Sequence, residues 1–392
     1  MTRAPRNRRR SPLLDRSLER LGEFLTDDET RRRLVSLIRL GARLLLVAPA
    51  ALYGILLLLL LFGFRYIGEN NVTFAFLLYV PRVLFLLPAV VLLPLVLLAD
   101  RRVTILLFGT CLAFFFFGMG WQLGAAPEPI TSEPGKSLTV LTYNRGQHAN
   151  QSLQPFKNET DPDIIILQEA RGRARGYAFA EGYEKFTHTD DEAEFTLLSR
   201  YPILGSETIR PDAAHSSHPP AARFEIDFAE TRIALYAIHT ESPRDTLLYY
   251  RRGAFLWGVL GLPGTPFAAK RKANQAYWDE RIAEARELRD TIANDPLPTL
   301  VAGDLNAPSG GYIHRLFLEN FADAHRSAGA GFGYTFPGTT RNPLSRGGPW
   351  MRIDYLFCDD DWNPTWCITE RDRPSQHRAV TAQFRLVRAS AD

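Results

Sequence analysis

The sequence predicts an α+β domain, built as a layered sandwich, standing behind three transmembrane helices. Three observations predict it. Residues 44–126 hold three long apolar runs, residues 138–387 hold many short strand-like segments with few helical ones, and the charge changes sign between the two regions. Many strands with occasional helices suggest an α+β domain and not a regular βαβ array, and no repeat is visible. At 392 residues the chain has room for one large core plus a second element.

The apolar runs come first. "LLLVAPAALYGILLLLLLFGF", Leu44 to Phe64, is 21 residues without a charge, long enough to cross a bilayer core. "VLFLLPAVVLLPLVLLA" runs from Val83 to Ala99, and "TFAFLLYVP" extends it on the N-terminal side with Arg82 interrupting. A mid-bilayer arginine is expensive, so Arg82 is expected near the interface, with residues 73–81 along the surface or forming a tilted first turn. Pro88 and Pro94 are tolerable as kinks. The third run spans Val103 to Ala126. Three such runs weigh against a buried hairpin, and a first run starting after more than 40 residues weighs against a cleaved signal peptide.

Charge orients the set. Residues 1–43 carry a net +6, residues 44–124 a net +2, and residues from 125 onward a net −5. Arg31, Arg32, Arg33, Arg39 and Arg43 precede the first run, and Arg101 and Arg102 lie between the second and third. Both clusters are expected on the cytoplasmic side, so three crossings place the following domain outside. The expected division is a basic cytoplasmic tail with a short amphipathic helix (1–43), a multi-pass cell-membrane anchor (44–124), a Pro/Gly/Ser linker (125–137) and a folded domain (138–390). A nucleic-acid reader usually carries a basic face on its globular part, whereas this part is acidic with only local runs such as "RGRAR".

Within the domain the strand-like segments are "LTVLTYN" ending at Asn144, "DIIILQE" (163–169), "EFTLLSR" (194–200), "ARFEID" (222–227) and "TRIALYAIHT" (231–240). "TLVAGDLN" (299–306), "MRIDYLFC" (351–358) and "AVTAQFRLV" (379–387) complete them, several alternating with period two. The best helical pattern is 269–295, with Ala276, Ile282, Ala285, Leu288 and Ile292 at helical spacing. Polar residues fall at the strand ends: Asn144, Glu169, His239, Asp304 with Asn306, and His377. One Asn or Asp after a strand is ordinarily a turn signal. Six such residues spread over the domain fit a convergent site better. Asp354 lies inside the apolar run "RIDYLF", where an acid either faces solvent or needs a partner. Cys358 and Cys367 flank "DDDWNPTW"; a disulfide outside the cell and two free small hydrophobes both remain open, and three cysteines make no disulfide scaffold.

Taken together these segments resemble the endonuclease/exonuclease/phosphatase superfamily of metal-dependent phosphodiesterases, over about Leu138 to Val387. "LTYN" resembles its opening strand, "ILQE" the strand ending in its metal-binding glutamate, "LLSRYPI" its third signature and "AIHT" the strand ending in a catalytic-pocket histidine. "GDLNAP" resembles its Gly-Asp-Phe-Asn signature, "RIDYLF" carries the partner acid, and "SQHRAV" stands where Ser-Asp-His is usual. With the three preceding spans, the chain is similar to a membrane-anchored bacterial branch called vancomycin- or teicoplanin-resistance-like. The resemblance implies a four-layered α/β/β/α sandwich of the DNase I type. It implies catalytic roles for His377, Asp354, His239, Asp304, Asn306 and Asn144. Mg²⁺ or Mn²⁺ is expected on Glu169, with Asn144, Asp304, Asn306 and Gln376 completing or orienting its shell.

Gln376 departs from the family pattern, since an amide stands where a carboxylate is usual, and a weaker hold on the cation is expected. Between His239 and the long helix, "GAFLWGVLGLPG" (253–264) is unusual for a soluble surface. It is expected either to dip into the outer leaflet and admit a lipid, or to pack on the domain. The favoured function is a metal-dependent phosphoester hydrolase acting outside the membrane on a lipid-linked or cell-envelope phosphoester. An extracellular or periplasmic deoxyribonuclease is a less favoured alternative, and a catalytically silent module gripping a phosphorylated lipid is another. The expected partners are the bilayer and the substrate; no protein partner is inferable.

Overall fold

The computed structural model describes residues 28–124, 136–146, 152–214, 218–244, 247, 263–338, 347–373 and 375–387. The chain divides into two compact units, one formed by residues up to 57 with 86–111, the other by 58–85 with 112 onward. Of the expected cytoplasmic tail, residues 1–27 lie outside the described residues, as do most of the expected linker and the apolar loop over 248–262.

Helix α1 is described from Asp28 to Phe62. It therefore begins well before the apolar run at Leu44, and it continues through a π turn, Gly63–Ile67, and a 3₁₀ turn, Gly68–Asn70. Helix α2 (Val72–Leu78) is capped by Asn71, whose side chain accepts the Thr73 N–H at 2.9 Å. Helices α3 (Leu87–Ala99) and α4 (Arg101–Ala113) meet at Asp100, whose Oδ1 accepts the Arg102 and Val103 N–H groups and so opens α4. Three helical stretches, Asp28–Asn70, Arg82–Ala99 and Arg101–Gly118, are long and apolar enough to cross a membrane. The third ends eight residues short of the expected Ala126. After a π turn over Phe114–Gly118, Gly120 takes a left-handed φ of 83°, and the chain enters strand β1 (Gln122–Leu123).

The second unit carries the sandwich. In chain order its elements are β2 (Ser137–Asn144), α5 (Phe156–Thr160), β3 (Ile164–Gln168), α6 (Ala174–Tyr177), β4 (His188–Glu192), β5 (Phe195–Ser199), β6 (Ile203–Ile209), β7 (Ala221–Phe228) and β8 (Thr231–His239). There follow α7 (Ala268–Ala293), β9 (Thr299–Asp304), α8 (Tyr312–Phe317), β10 (Ala322–Asp323), α9 (Ala324–Ala328), β11 (Ala330–Gly331), β12 (Asp354–Cys358), β13 (Trp362–Thr369) and β14 (Val380–Leu386). One six-stranded sheet has the order β10-β12-β9-β8-β7-β6, and the other β13-β14-β2-β3-β5-β4; β1 pairs separately with β11. Each large sheet contains one parallel pair, β8 with β9 and β2 with β3, and is otherwise antiparallel. This is the DNase I-like arrangement of two mixed sheets flanked by helices.

Alternation along the strands explains the layers. Leu138, Val140, Ile164, Ile166, Phe224, Ile226, Leu235 and Phe384 share the inter-sheet core, while Ala234, Tyr236, Ile238 and Tyr355 face outward onto α7 and α8. Each fully buried Phe or Leu there contributes about 1.5–3 kcal/mol of transfer free energy. On α7 the buried stripe is Trp278, Ile282, Ala285, Leu288 and Ile292. Ala276, expected in that stripe, is exposed, and Trp278 takes the face because its ring packs against Tyr79 at 5.9 Å. Cys358 and Cys367 are both free and buried in the inter-sheet core; the disulfide alternative is not the one found.

One end of each apolar helical stretch belongs to this unit. Glu69, fully buried, accepts the Tyr312 N–H at 2.5 Å where α8 begins. Arg82 is buried, donating to the Gly118 carbonyl at 2.7 Å and the Ser309 carbonyl at 2.9 Å. Protein carbonyls thus solve the solvation problem that the sequence poses at this arginine. Gln275 of α7 binds the backbone at Val72 and Asn70, and the Trp350 indole donates to the Tyr79 carbonyl.

Candidate active site

Register brings the polar strand ends together. Asp304 at the end of β9 is paired across the sheet with Asp354 at the start of β12 on one side and with His239 at the end of β8 on the other. Residues in one rung of a sheet share a face, so these three side chains stand in a row. Gly303 makes the row possible. Its φ is 144°, and a Cβ there would lie 2.0 Å from the Ile238 carbonyl oxygen of the neighbouring strand, so only glycine permits this approach. From the opposite sheet, Asn144 at the end of β2 donates its Nδ2 to Asp304 Oδ2 at 3.0 Å.

His377 lies just ahead of β14, with Nδ1 3.1 Å from Asp354 Oδ2 and 3.8 Å from Asp304 Oδ2. Asp304, Asp354 and His377 are all buried and offer side-chain atoms within 4.8 Å of one another. Burial alone lowers the His377 imidazole; the charges of Asp354 and Asp304 outweigh it and hold the group above its ordinary value. Asp304 moves the other way from most carboxylates. Burial and then the charge of Asp354 push its carboxyl up to about 6, even with both histidines pulling it down. Two adjacent carboxylates and two imidazoles thus share one small volume.

His239 has a partner the sequence did not disclose. Its Nδ1 meets Glu194 Oε1 at 2.5 Å, while Nε2 lies 3.4 Å from Asn144 Nδ2 and 3.9 Å from Asp304 Oδ2. Burial works to lower His239, but the Glu194 hydrogen bond and charge, with Asp304 and Glu169 behind them, raise it to about 9. The β3–β5 pairing ends with Leu167 opposite Thr196, and the Ala170 N–H then reaches the Glu194 carbonyl at 2.9 Å, which brings Glu194 up to the end of β3. That register was the available signal, and it needs the strand pairing to be known.

The remaining predicted residues sit around this centre. Glu169 follows β3, half-buried, with a left-handed φ of 53°. Such a backbone is costly for a glutamate and is common at functional sites. Asn306 is also left-handed, at φ 46°, and is fixed on several sides. Its N–H donates to Asp304 Oδ1 at 2.7 Å, its Nδ2 to the Thr240 carbonyl at 2.9 Å, and its carbonyl accepts the Tyr79 hydroxyl at 2.7 Å. Thr240 and Tyr79 are thus supporting residues that sequence reasoning did not single out. Asn144, expected among the oxygen donors to a cation, has its Oδ1 on the Gly146 N–H at 2.9 Å and turns its nitrogen to the carboxylate. Gln376, partly buried, lies against Gly146, and its carbonyl accepts the Gly338 N–H at 2.5 Å.

Residues 147–377, more than half of the chain, match the model of the Endonuclease/Exonuclease/phosphatase family. The chain belongs to that family. Among solved structures, it is similar to an endonuclease/exonuclease/phosphatase from Beutenbergia cavernae (16% identity, covering 64% of this chain and 72% of that one, TM-score 0.42). It is also similar to the 3' phosphatase NExo from Neisseria bound to product DNA hairpin (14%, 62% and 98%, TM-score 0.43). A third is D. rerio TDP2 complexed with single strand DNA product (15%, 63% and 98%, TM-score 0.43). None of the curated proteins matches the chain. The family assignment rests on the family match, and it makes phosphoester hydrolysis the relevant chemistry.

The donor set fits a hard divalent cation. Asp304 and Asp354, with His377, offer side-chain atoms within 4.8 Å of one another, and the charge of Glu169 is felt at His239. Oxygen donors of this kind suit Mg²⁺ or Mn²⁺.

Proposed function

We propose that the chain is a membrane-anchored, divalent-metal-dependent phosphoester hydrolase acting outside the membrane on a lipid-linked or cell-envelope phosphoester. The observation that carries the hydrolytic reading is the row His239–Asp304–Asp354, with the buried His377 closing it. Asp304, its affinity for a proton raised, orients the attacking water and takes its proton. Asp354 holds His377 by Nδ1, leaving Nε2 for a phosphate oxygen. Glu194 does the same for His239, whose Nε2 faces the Asp304 side. His239, raised to about 9, is cationic near neutral pH, and His377 is raised in the same direction by Asp354 and Asp304, which favours charge gathering on phosphate oxygens. A divalent cation, held by Glu169 with Asp304, Asn144, Asn306 and Gln376 around it, would neutralise nonbridging oxygens and help to position the substrate.

Two observations support a substrate at the membrane. The loop leaving Asp304 and Asn306 is hydrogen-bonded to Tyr79 and Arg82, at the ends of apolar helical segments. The arginines at 31–43 and 101–102 favour the cytoplasmic side, so three crossings support an external domain. The test is hydrolysis by the full-length protein of a generic phosphodiester, a short-chain phospholipid, a polyprenyl phosphate and plasmid DNA, each with Mg²⁺ and with Mn²⁺. Metal-dependent turnover of a lipid phosphoester, lost in His377→Ala and Glu169→Ala, is the expected result. No turnover of anything with either metal sinks the enzyme, and turnover of DNA alone sinks the lipid reading.

A further inference from the structure

A second site lies beside the first. A cavity of about 510 Å³ opens where β13 ends, walled by Phe332, Tyr334, Thr369, Arg371 and Arg378 among others. Its charge is lopsided. Glu370 lies in the wall, but its carboxylate is committed to Arg373, at 2.6 and 2.7 Å, and to the Ala379 N–H. Arg378 is mostly buried, and its nearest carboxylate is Asp372 at 3.7 Å, a side chain 74% exposed. So distant and wet a partner compensates little of a buried charge. Arg378 is therefore poorly compensated where it stands. Its Nε is fully buried and has no hydrogen-bond acceptor among the described residues. An orphaned donor on a buried cation costs more than an ordinary unmade bond, unless an anion completes it.

The aromatic part of the wall indicates where such an anion comes from. The Phe332 ring packs on Trp121 at 4.7 Å and on Phe115 at 5.4 Å, and the Tyr334 hydroxyl donates to the Met119 carbonyl at 3.0 Å. Phe115 lies in the last turn of the third apolar stretch, and Met119 follows it directly. Aromatic rings at the end of an apolar helix belong to the headgroup layer of a bilayer. We propose that this cavity binds the phosphate group of a membrane lipid headgroup, with Arg378 and Arg371 as its cationic ligands. Arg378 follows His377 directly, so an occupied cavity braces the turn that carries the catalytic histidine. The cavity holds its lipid without hydrolysing it, and it stands apart from the reaction proposed above.

The experiment uses full-length His377→Ala protein, so that binding is read without turnover. Binding of a short-chain phosphatidylglycerol below its micellar concentration is followed by calorimetry, beside inorganic phosphate and a short-chain diacylglycerol. The expected result is saturable binding of the phospholipid, weakened at least tenfold by Arg378→Gln and severalfold by the exposed Arg371→Gln, with phosphate much weaker and diacylglycerol silent. Binding unchanged in both variants overturns the site. Phosphate binding as tightly as the phospholipid overturns the lipid assignment. Arg371→Gln guards against misfolding, because that side chain lies at the surface.

Discussion

Replacing Glu194 by glutamine removes the charge that keeps His239 protonated and leaves the shape of the site almost unchanged. In the native protein the imidazole titrates at about 9, against an ordinary value of 6.5. At pH 7.5 roughly 97% of the population is cationic. Without the Glu194 carboxylate, burial pulls the group down from about 9 towards its ordinary value, with Asp304 and Glu169 still raising it; a full return to 6.5 would leave about 9% cationic at the same pH. The rate at pH 7.5 is therefore expected to fall by up to roughly tenfold, with most of it regained below pH 6. The assay is a pH–rate profile on a soluble phosphodiester, read beside an NMR titration of His239. The alkaline limb of kcat/KM should move from about 9 toward 6.5. The same pair contributes stability with a definite sign. A group raised on folding stabilises fully below pH 6.5 and loses that contribution as pH rises through about 9. The full shift corresponds to about 3 kcal/mol. A variant whose alkaline limb and His239 titration stay in place refutes the account of Glu194.

Asp354→Asn leaves His377 without its anion, and kcat is expected to fall on the order of 10²–10⁴-fold with the fold retained, as checked by circular dichroism and steady-state kinetics. Tyr79→Phe deletes one hydrogen bond to the Asn306 carbonyl, worth about 1 kcal/mol, so kcat is expected to drop about fivefold with KM unchanged. A loss in KM instead would place Tyr79 in substrate binding. Gln376→Asp restores a carboxylate beside the centre, and the Mg²⁺ concentration for half-maximal rate is expected to fall severalfold in a metal titration; no change would show that residue 376 is remote from the cation.

The strand ends were legible because apolar runs that stop on Asn144, Glu169, His239 and Asp304 have no reason to do so in unison unless they converge. Asp354 was legible by its misplacement among apolar neighbours, and it proved to be paired with His377 at 3.1 Å. Glu194 was not, since an acid before a strand looks solvated until β3 and β5 are known to be paired. Tyr79 was hidden inside "TFAFLLYVP", where an aromatic residue reads as lipid-facing. The third apolar run was read too long because composition does not register the left-handed turn at Gly120 or the pairing of β1 with β11. The two cysteines lie on facing sheets of one core, a relation that their nine-residue spacing does not encode.

The buried contacts of Glu69, Tyr79 and Arg82 change how this protein is best cut for study. A fragment beginning at the linker, the obvious soluble form by sequence, would strip the start of α8 of its carboxylate partner. It would also free the Ser309 carbonyl and uncover Trp278 and Trp350. Such a fragment would be sticky and slow for reasons unrelated to its chemistry. The useful boundary follows the hydrogen bonds, which run through the turns at the ends of the apolar helices, so the smallest faithful form of the protein is one that keeps those helices.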